Sequence, residues 1–188
     1  MIVHFVTDRR RFQVDAAGLV ARGARAARSG VDFIQVRERD LDDRALVSLV
    51  REIRSSIAGT AARVLVNDRA DVALAAGAAG VHLRADSPPA SRVRAVVPPG
   101  FVIGRSVHSL DEIDAAIADG ACDYLMYGTV FPSAGKPAGH PVAGLDGLRA
   151  ACRRSPIPIV AIGGIDASHA DAIAAAGAAG LAAVAMFM

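Results

Sequence analysis

The sequence contains no tryptophan, a single lysine (Lys136) and a single asparagine (Asn67) in 188 residues. Aromatic residues make up only 4%, so packing must rest on aliphatic side chains and alanine. The two cysteines, Cys122 and Cys152, fall in segments that read as strand and helix, with no CxxC spacing. A disulfide scaffold and a zinc ribbon are thereby excluded, and a reducing, cytoplasmic location is expected. One-sided charge is missing too: 21 Lys and Arg against 19 Asp and Glu leave +2, scattered along the chain. Such a balance argues against a nucleic-acid partner. The N-terminal MIVHFVTDRRRF puts its charges after the apolar run, which is not the pattern of a signal peptide. The longest apolar stretch, 172–188, is broken by Gly177 and Gly180 and reads as helix, turn and strand, so no membrane partner is expected. With 53% hydrophobic residues the chain is too apolar for disorder, and its length predicts one domain over 1–188.

What is present is a repeating unit. Eight β-branched runs occur at 2–8, 32–38, 63–68, 80–83, 101–106, 122–128, 157–164 and 180–187. Stretches with helical spacing fill 14–29, 43–58, 69–77, 88–97, 109–119, 144–153 and 167–176. Strict alternation predicts parallel strands with right-handed crossovers. The hexapeptide AAGAAG recurs at 75–80 and 175–180, four strand–helix units apart, as two half-barrels would have it. The expected fold is therefore an α/β (β/α)8 TIM barrel whose eighth helix is missing. An absent helix predicts an open apolar wall, and with it a homo-oligomer.

Active sites of such barrels sit at the C-terminal strand ends. Polar residues collect there: Thr7 and Asp8; Gln35, Arg37 and Arg39; Asn67 and Asp68; His82; Ser106 and His108; then Ser133, Lys136 and His140 in a Pro- and Gly-rich loop; and Gly163 with Gly164. Cationic and amide groups converging on one mouth suggest an anionic ligand. Gln35 and Arg37 alternate along one strand end and face the same way. Asn67-Asp68 reads either as a helix cap or as part of a metal or phosphate site. The two glycines let backbone N–H groups approach a phosphate oxygen. His82 reads as a packed, hydrogen-bonded core histidine. Ser106 and His108 lack an acid and a nucleophile elbow, which argues against a hydrolase triad. Ser109 with Glu112 reads as a capping box.

The segments FVTDR, VDFIQVRERD, VNDRADVALAAGAAGVHL, IGRSVHSLDE, CDYLMYGTVFP with a following GKP, LDGL and IPIVAIGGI occur in this order. Nearly end to end they resemble the thiamine-phosphate synthase/TenI family. The resemblance implies a thiazole-phosphate site at Gly163, Gly164, Val184 and Ala185. It implies a catalytic role for Arg37 and Lys136, substrate contacts from Gln35, Arg39, Asn67, Ser106 and Ser133, and Mg²⁺ on Asp68 and Asp86; His108 is expected as a catalytic base because imidazole titrates near neutral pH. The sequence departs from the synthase pattern at Arg39, which replaces a lysine, and at Ser133 and Gly135, where threonines would stand. Asp86 falls one residue early, and Arg84-Ala85 replaces Gly-Gln.

Two activities are implied. TenI-like members tautomerise a carboxythiazole phosphate without a metal or other cofactor, and IGRSVHSL and VDFIQVRER look TenI-like. This is the expected role, although the histidine of that activity would fall at Thr129, leaving His108 or His140 as base. The alternative is the synthase, which joins an aminopyrimidine diphosphate to a thiazole phosphate and releases pyrophosphate with Mg²⁺. A non-catalytic thiazole-phosphate binder is a third reading, and a barrel acting on another sugar phosphate a fourth.

Overall fold

The computed structural model describes residues 1–133, 137 and 139–187. Eight strands form a closed barrel: β1 Ile2–Val6, β2 Phe33–Val36, β3 Arg63–Asn67, β4 Gly80–Leu83, β5 Val102–Val107, β6 Tyr124–Tyr127, β7 Ile159–Ile162 and β8 Gly180–Ala183. Each pairs in parallel with its sequence neighbour, and β8 returns to β1 with Ile2 opposite Gly180 and Phe5 opposite Ala183. Helices alternate with them: a short α1 Arg9–Phe12, then α2 Ala16–Arg28, α3 Asp43–Ser56, α4 Ala70–Ala76, α5 Ala90–Arg94, α6 Leu110–Asp119, α7 Gly144–Arg154 and α8 Ala170–Ala175. All eight expected strands and all seven expected helices are present; α1 was not foreseen. None of the described helices is long and apolar enough to cross a membrane.

The period of two along each strand sorts residues between two cores. Phe5, Ile34, Val64, Val66, Val81 and Ile103 point outward and pack under the helices. Val6, Leu65, Tyr124, Met126, Val160 and Ala182 fill the barrel interior. Helix starts follow ordinary capping. The Asp15 carboxylate accepts from Gly18 N at 2.8 Å, the Asp42 carboxylate from Ala45 N at 2.8 Å, and Ser109 Oγ from Glu112 N at 3.1 Å. The expected box at Ser109 closes differently, because Glu112 takes the backbone N–H of His108 at 2.7 Å.

No eighth helix follows β8 among the described residues. A single 3-10 turn, Ala185–Phe187, lies there instead. It brings the Phe187 ring onto Phe5, with centroids 4.8 Å apart, and Arg22 donates to the Phe187 carbonyl while its guanidinium lies 4.6 Å over Phe12. Phe5 is fully buried by this arrangement. The turn thus covers the wall at Phe5. Cys122 lies just before β6 rather than in it, and both cysteines are free.

Gly104 on β5 faces the interior, where the Tyr124 ring fills the space that a Cβ would take. Gly104→Ala is expected to cost about 1–3 kcal/mol through overpacking. Urea denaturation reads this directly, and an unchanged midpoint would contradict the packing.

Candidate functional site

The strand ends enclose a cavity of 670 Å³ lined by residues from every strand end and by α1. On the β1 side, Thr7 is buried; its hydroxyl donates to Glu38 Oε1 at 2.7 Å and accepts from Arg37 N at 2.9 Å. Asp8 caps α1 by accepting from Arg11 N at 3.0 Å, which places Arg11 on the cavity rim. Glu38 is buried and also accepts from Arg9 N at 3.2 Å. Burial raises its pKa, and the bonds from Thr7 and Arg9 offset part of that cost.

Gln35, Arg37 and Arg39 all line the cavity. Desolvation lowers the pKa of half-buried Arg37, and the charges of Arg39 and Arg84 push the same way against Asp8 and Glu38. Gln35 Nε2 donates to Asn67 Oδ1 at 3.0 Å, while Gln35 Oε1 is buried without a hydrogen-bond partner. A buried acceptor left unpaired costs about 1–3 kcal/mol, so a ligand donor there would recover energy.

Asp68 does not cap a helix. Its backbone is left-handed, with φ 63°, and α4 begins after Arg69 with no side-chain capping bond. The Asp68 carboxylate instead accepts from Ser87 Oγ and lies 3.7 Å from Arg84 Nη1. Asp86 lines the cavity and pairs with Arg84 Nη2 at 2.6 Å. The two carboxylates expected to hold Mg²⁺ therefore share one guanidinium. Among the described residues no group of three or more His, Cys, Asp or Glu is placed to hold a metal. As the side chains stand, a protein cation holds both carboxylates, so the pair does not fit Mg²⁺ unless Arg84 is displaced.

His82 is a core histidine at the cavity floor. Its Nδ1 lies 2.9 Å from the Tyr124 hydroxyl and its Nε2 2.9 Å from Ser106 Oγ. Burial pushes its pKa down to about 3, helped by His4 and Arg37, so the ring is neutral and joins Tyr124 to Ser106 at the cavity surface. His108 sits on the rim, half exposed, with its ring 3.2 Å from Glu112 Oε2. Ser133 lines the opposite rim, whereas Lys136 and Gly135 lie outside the described residues. Thr129 lines the cavity and its hydroxyl meets His140 Nε2 at 3.1 Å.

Gly163 and Gly164 have φ of 102° and 64°, in the left-handed region. A Cβ on Gly163 would meet Thr129 Cγ2 at 2.6 Å, and one on Gly164 would run into the Pro132 carbonyl. The pair thus lets the segment after β6 lie against β7, where Val130 N donates to Ile162 O and Phe131 N to Gly163 O, both at 2.9 Å. Both glycines and Val184 line the cavity, and Ala185 opens the 3-10 turn that follows. Sequence reasoning missed Arg11, because α1 is too short to show a period, although the Asp8 three residues earlier is a capping signal. It also missed Arg105, which donates to the carbonyls of Ala85, Ser87 and Pro88 at 2.8–2.9 Å and clamps the loop after β4.

Residues 3–187 match a family model described as thiamine monophosphate synthase. The thiamine-phosphate synthase of Methanoculleus marisnigri is 41% identical over 186 residues, covering 97% of this chain and 85% of that protein. That of Methanocella arvoryzae is 43% identical over 160 residues, covering 85% and 75%. A solved thiamine phosphate pyrophosphorylase from Pyrococcus furiosus has a TM-score of 0.82 at 33% identity, over 98% of this chain and 85% of that one. A 3-hexulose-6-phosphate synthase, 17% identical with a TM-score of 0.73, over 98% and 90%, shares the fold alone. The relatives carry the synthase name, so the tautomerase expected first is not supported and the synthase alternative is better backed.

Burial lowers His4 to about 4 and His82 to about 3 from the ordinary 6.5. Below about pH 6.5 the unfolded chain takes up these protons before the folded one does. Stability is therefore full above that pH and falls as pH drops toward the folded values, by about 1.4 kcal/mol per pH unit for each histidine. Urea midpoints at pH 7 and pH 5 check this, and His82→Gln should flatten the slope; a profile already flat in the parent protein would contradict two buried neutral rings.

Proposed function

The chain belongs to the thiamine-phosphate synthase/TenI family of thiamine-biosynthetic enzymes, and on that premise we propose that it is a thiamine-phosphate synthase. The observation that carries this reading is the pairing of two features in one cavity: a buried amide oxygen without a partner, Gln35 Oε1, and a mouth lined by Arg11, Arg37, Arg39 and Arg84. The first suits the amino group of an aminopyrimidine. The second suits its diphosphate, since guanidinium forks match phosphate oxygens in two-point contacts.

In the proposed reaction the bond from the pyrimidine methylene to the diphosphate oxygen breaks, and pyrophosphate departs with the electron pair. The ring nitrogen of the thiazole phosphate then bonds to the methylene carbon, giving thiamine phosphate. Negative charge grows on the leaving group, and Arg37 and Arg39, which line the cavity, take it up. Gln35, oriented by Asn67, and Ser106, held by His82, position the pyrimidine. The backbone at Gly163, Gly164, Val184 and Ala185 would receive the thiazole phosphate. Lys136 is proposed as a further cation, and His108 as a rim group that stays clear of the bond being made. No step is routed through Mg²⁺, because the Asp68 and Asp86 carboxylates are engaged with Arg84.

Purified protein given aminopyrimidine diphosphate and thiazole phosphate, with millimolar Mg²⁺ supplied, is expected to form thiamine phosphate and pyrophosphate, read by mass spectrometry. Arg37→Ala should lower turnover by roughly a hundredfold or more, the scale of losing one charge-stabilising donor. Absence of product from folded protein under these conditions would sink the synthase reading.

A further inference from the structure

The two rim carboxylates are bridged by a side chain of the protein itself. Arg84 Nη2 lies 2.6 Å from Asp86 Oδ2 and Nη1 3.7 Å from Asp68 Oδ2. The loop that carries it is held in one shape. Arg84 N donates to Ser87 Oγ at 2.8 Å, Ser87 Oγ in turn donates to Asp68, and Arg105 grips three carbonyls of the same loop. Arg84 faces the cavity with Arg37 and Arg39, and its side chain is 45% exposed, so it is open to an anion on one side while paired on the other.

We propose that Arg84 is a built-in cation that replaces a loaded divalent ion at this rim, so that the cavity takes up a diphosphate group without first binding metal. The proposal rests on the synthase reading for its ligand. A divalent ion entering between Asp68 and Asp86 would have to expel the guanidinium and strip Ser87 from Asp68. The guanidinium already neutralises one of the two negative charges and presents N–H donors to phosphate oxygens. Four arginines, Arg11, Arg37, Arg39 and Arg84, line one opening and repel one another, and a polyanion relieves that repulsion.

Binding of inorganic pyrophosphate and of Mn²⁺ to the whole protein tests this without turnover. Calorimetry in EDTA should find that the parent protein binds pyrophosphate, and that Arg84→Gln weakens it at least tenfold. Adding Mg²⁺ should restore binding to the variant and change the parent little. Electron paramagnetic resonance of free Mn²⁺ should find at least tenfold tighter uptake by Arg84→Gln, whose two carboxylates are released. Arg84→Lys, which keeps the charge, should retain pyrophosphate binding in EDTA, and circular dichroism melting confirms that both variants are folded. Parent protein that binds pyrophosphate only with Mg²⁺, or equal Mn²⁺ uptake by the parent and Arg84→Gln, overturns the proposal. Pyrophosphate bound in EDTA by a protein that makes no thiamine phosphate would remove the synthase reading and leave Arg84 its role. Thiamine phosphate formed while pyrophosphate binding is abolished by EDTA would do the reverse.

Discussion

Closure of the sheet at β8 and β1 is the constraint on which everything else depends. Only a closed ring of parallel strands points all eight C-terminal ends at one opening, and only there can residues distant in sequence share a cavity. The seam is tight: Gly180 sits against the Ile2 carbonyl, and a Cβ at that position would collide with it. Ile2 N also donates to Ala179 O at 2.9 Å, so the joint is hydrogen-bonded below the strand pair as well. Opening this joint would separate Arg11 and Arg37 from the glycine pair after β7, and each half of the site would face water alone.

Once the ring is closed, its mouth has an electrostatic problem that the fold solves from beneath. Arginines crowd the opening, and the rim carboxylates Asp68 and Asp86 are both taken up by one of them, Arg84. Glu38 is instead turned inward under the rim, where it ties Thr7 and Arg9 to the end of β2. Compensating charge is placed where it orders the backbone and leaves the guanidinium of Arg37 facing the cavity. The buried His82 does similar work with no charge at all, joining the barrel interior to Ser106 through a neutral ring.

Strand and helix were legible because alternating β-branched runs and alanine-rich stretches leave little room for another fold class. The cavity residues were legible for a related reason: a barrel sends strand ends to one face, so Gln35, Arg37, Arg39, Asn67, Ser106, Ser133, Gly163 and Gly164 had to share a rim, to which the family resemblance added Val184. What stayed hidden depends on rotamers and loop paths, which have no period. Asp68 had the spacing of a cap, but its left-handed backbone turns the carboxylate toward Ser87 and Arg84. Glu38 gave no signal in the sequence, and only burial marks it out. Gly163 and Gly164 looked like phosphate ligands, while their most visible duty is to admit the chain that follows β6.

The AAGAAG repeat has a consequence for how the molecule could be taken apart. Gly77 and Gly177 both turn the chain out of a helix at positive φ, and Gly80 and Gly180 both abut the backbone of the following strand, at Val102 and Ile2. The β4–β5 joint and the β8–β1 joint are therefore the same mechanical part used twice. Between α5 and β5 the chain runs through Pro98, Pro99 and Gly100, all exposed. A chain severed there yields two four-stranded fragments with matching edges, and one edge strand of each, β4 or β8, begins with a glycine shaped to receive the other piece. Reassembly of such fragments would need no new contact, only the same dovetail made on both sides.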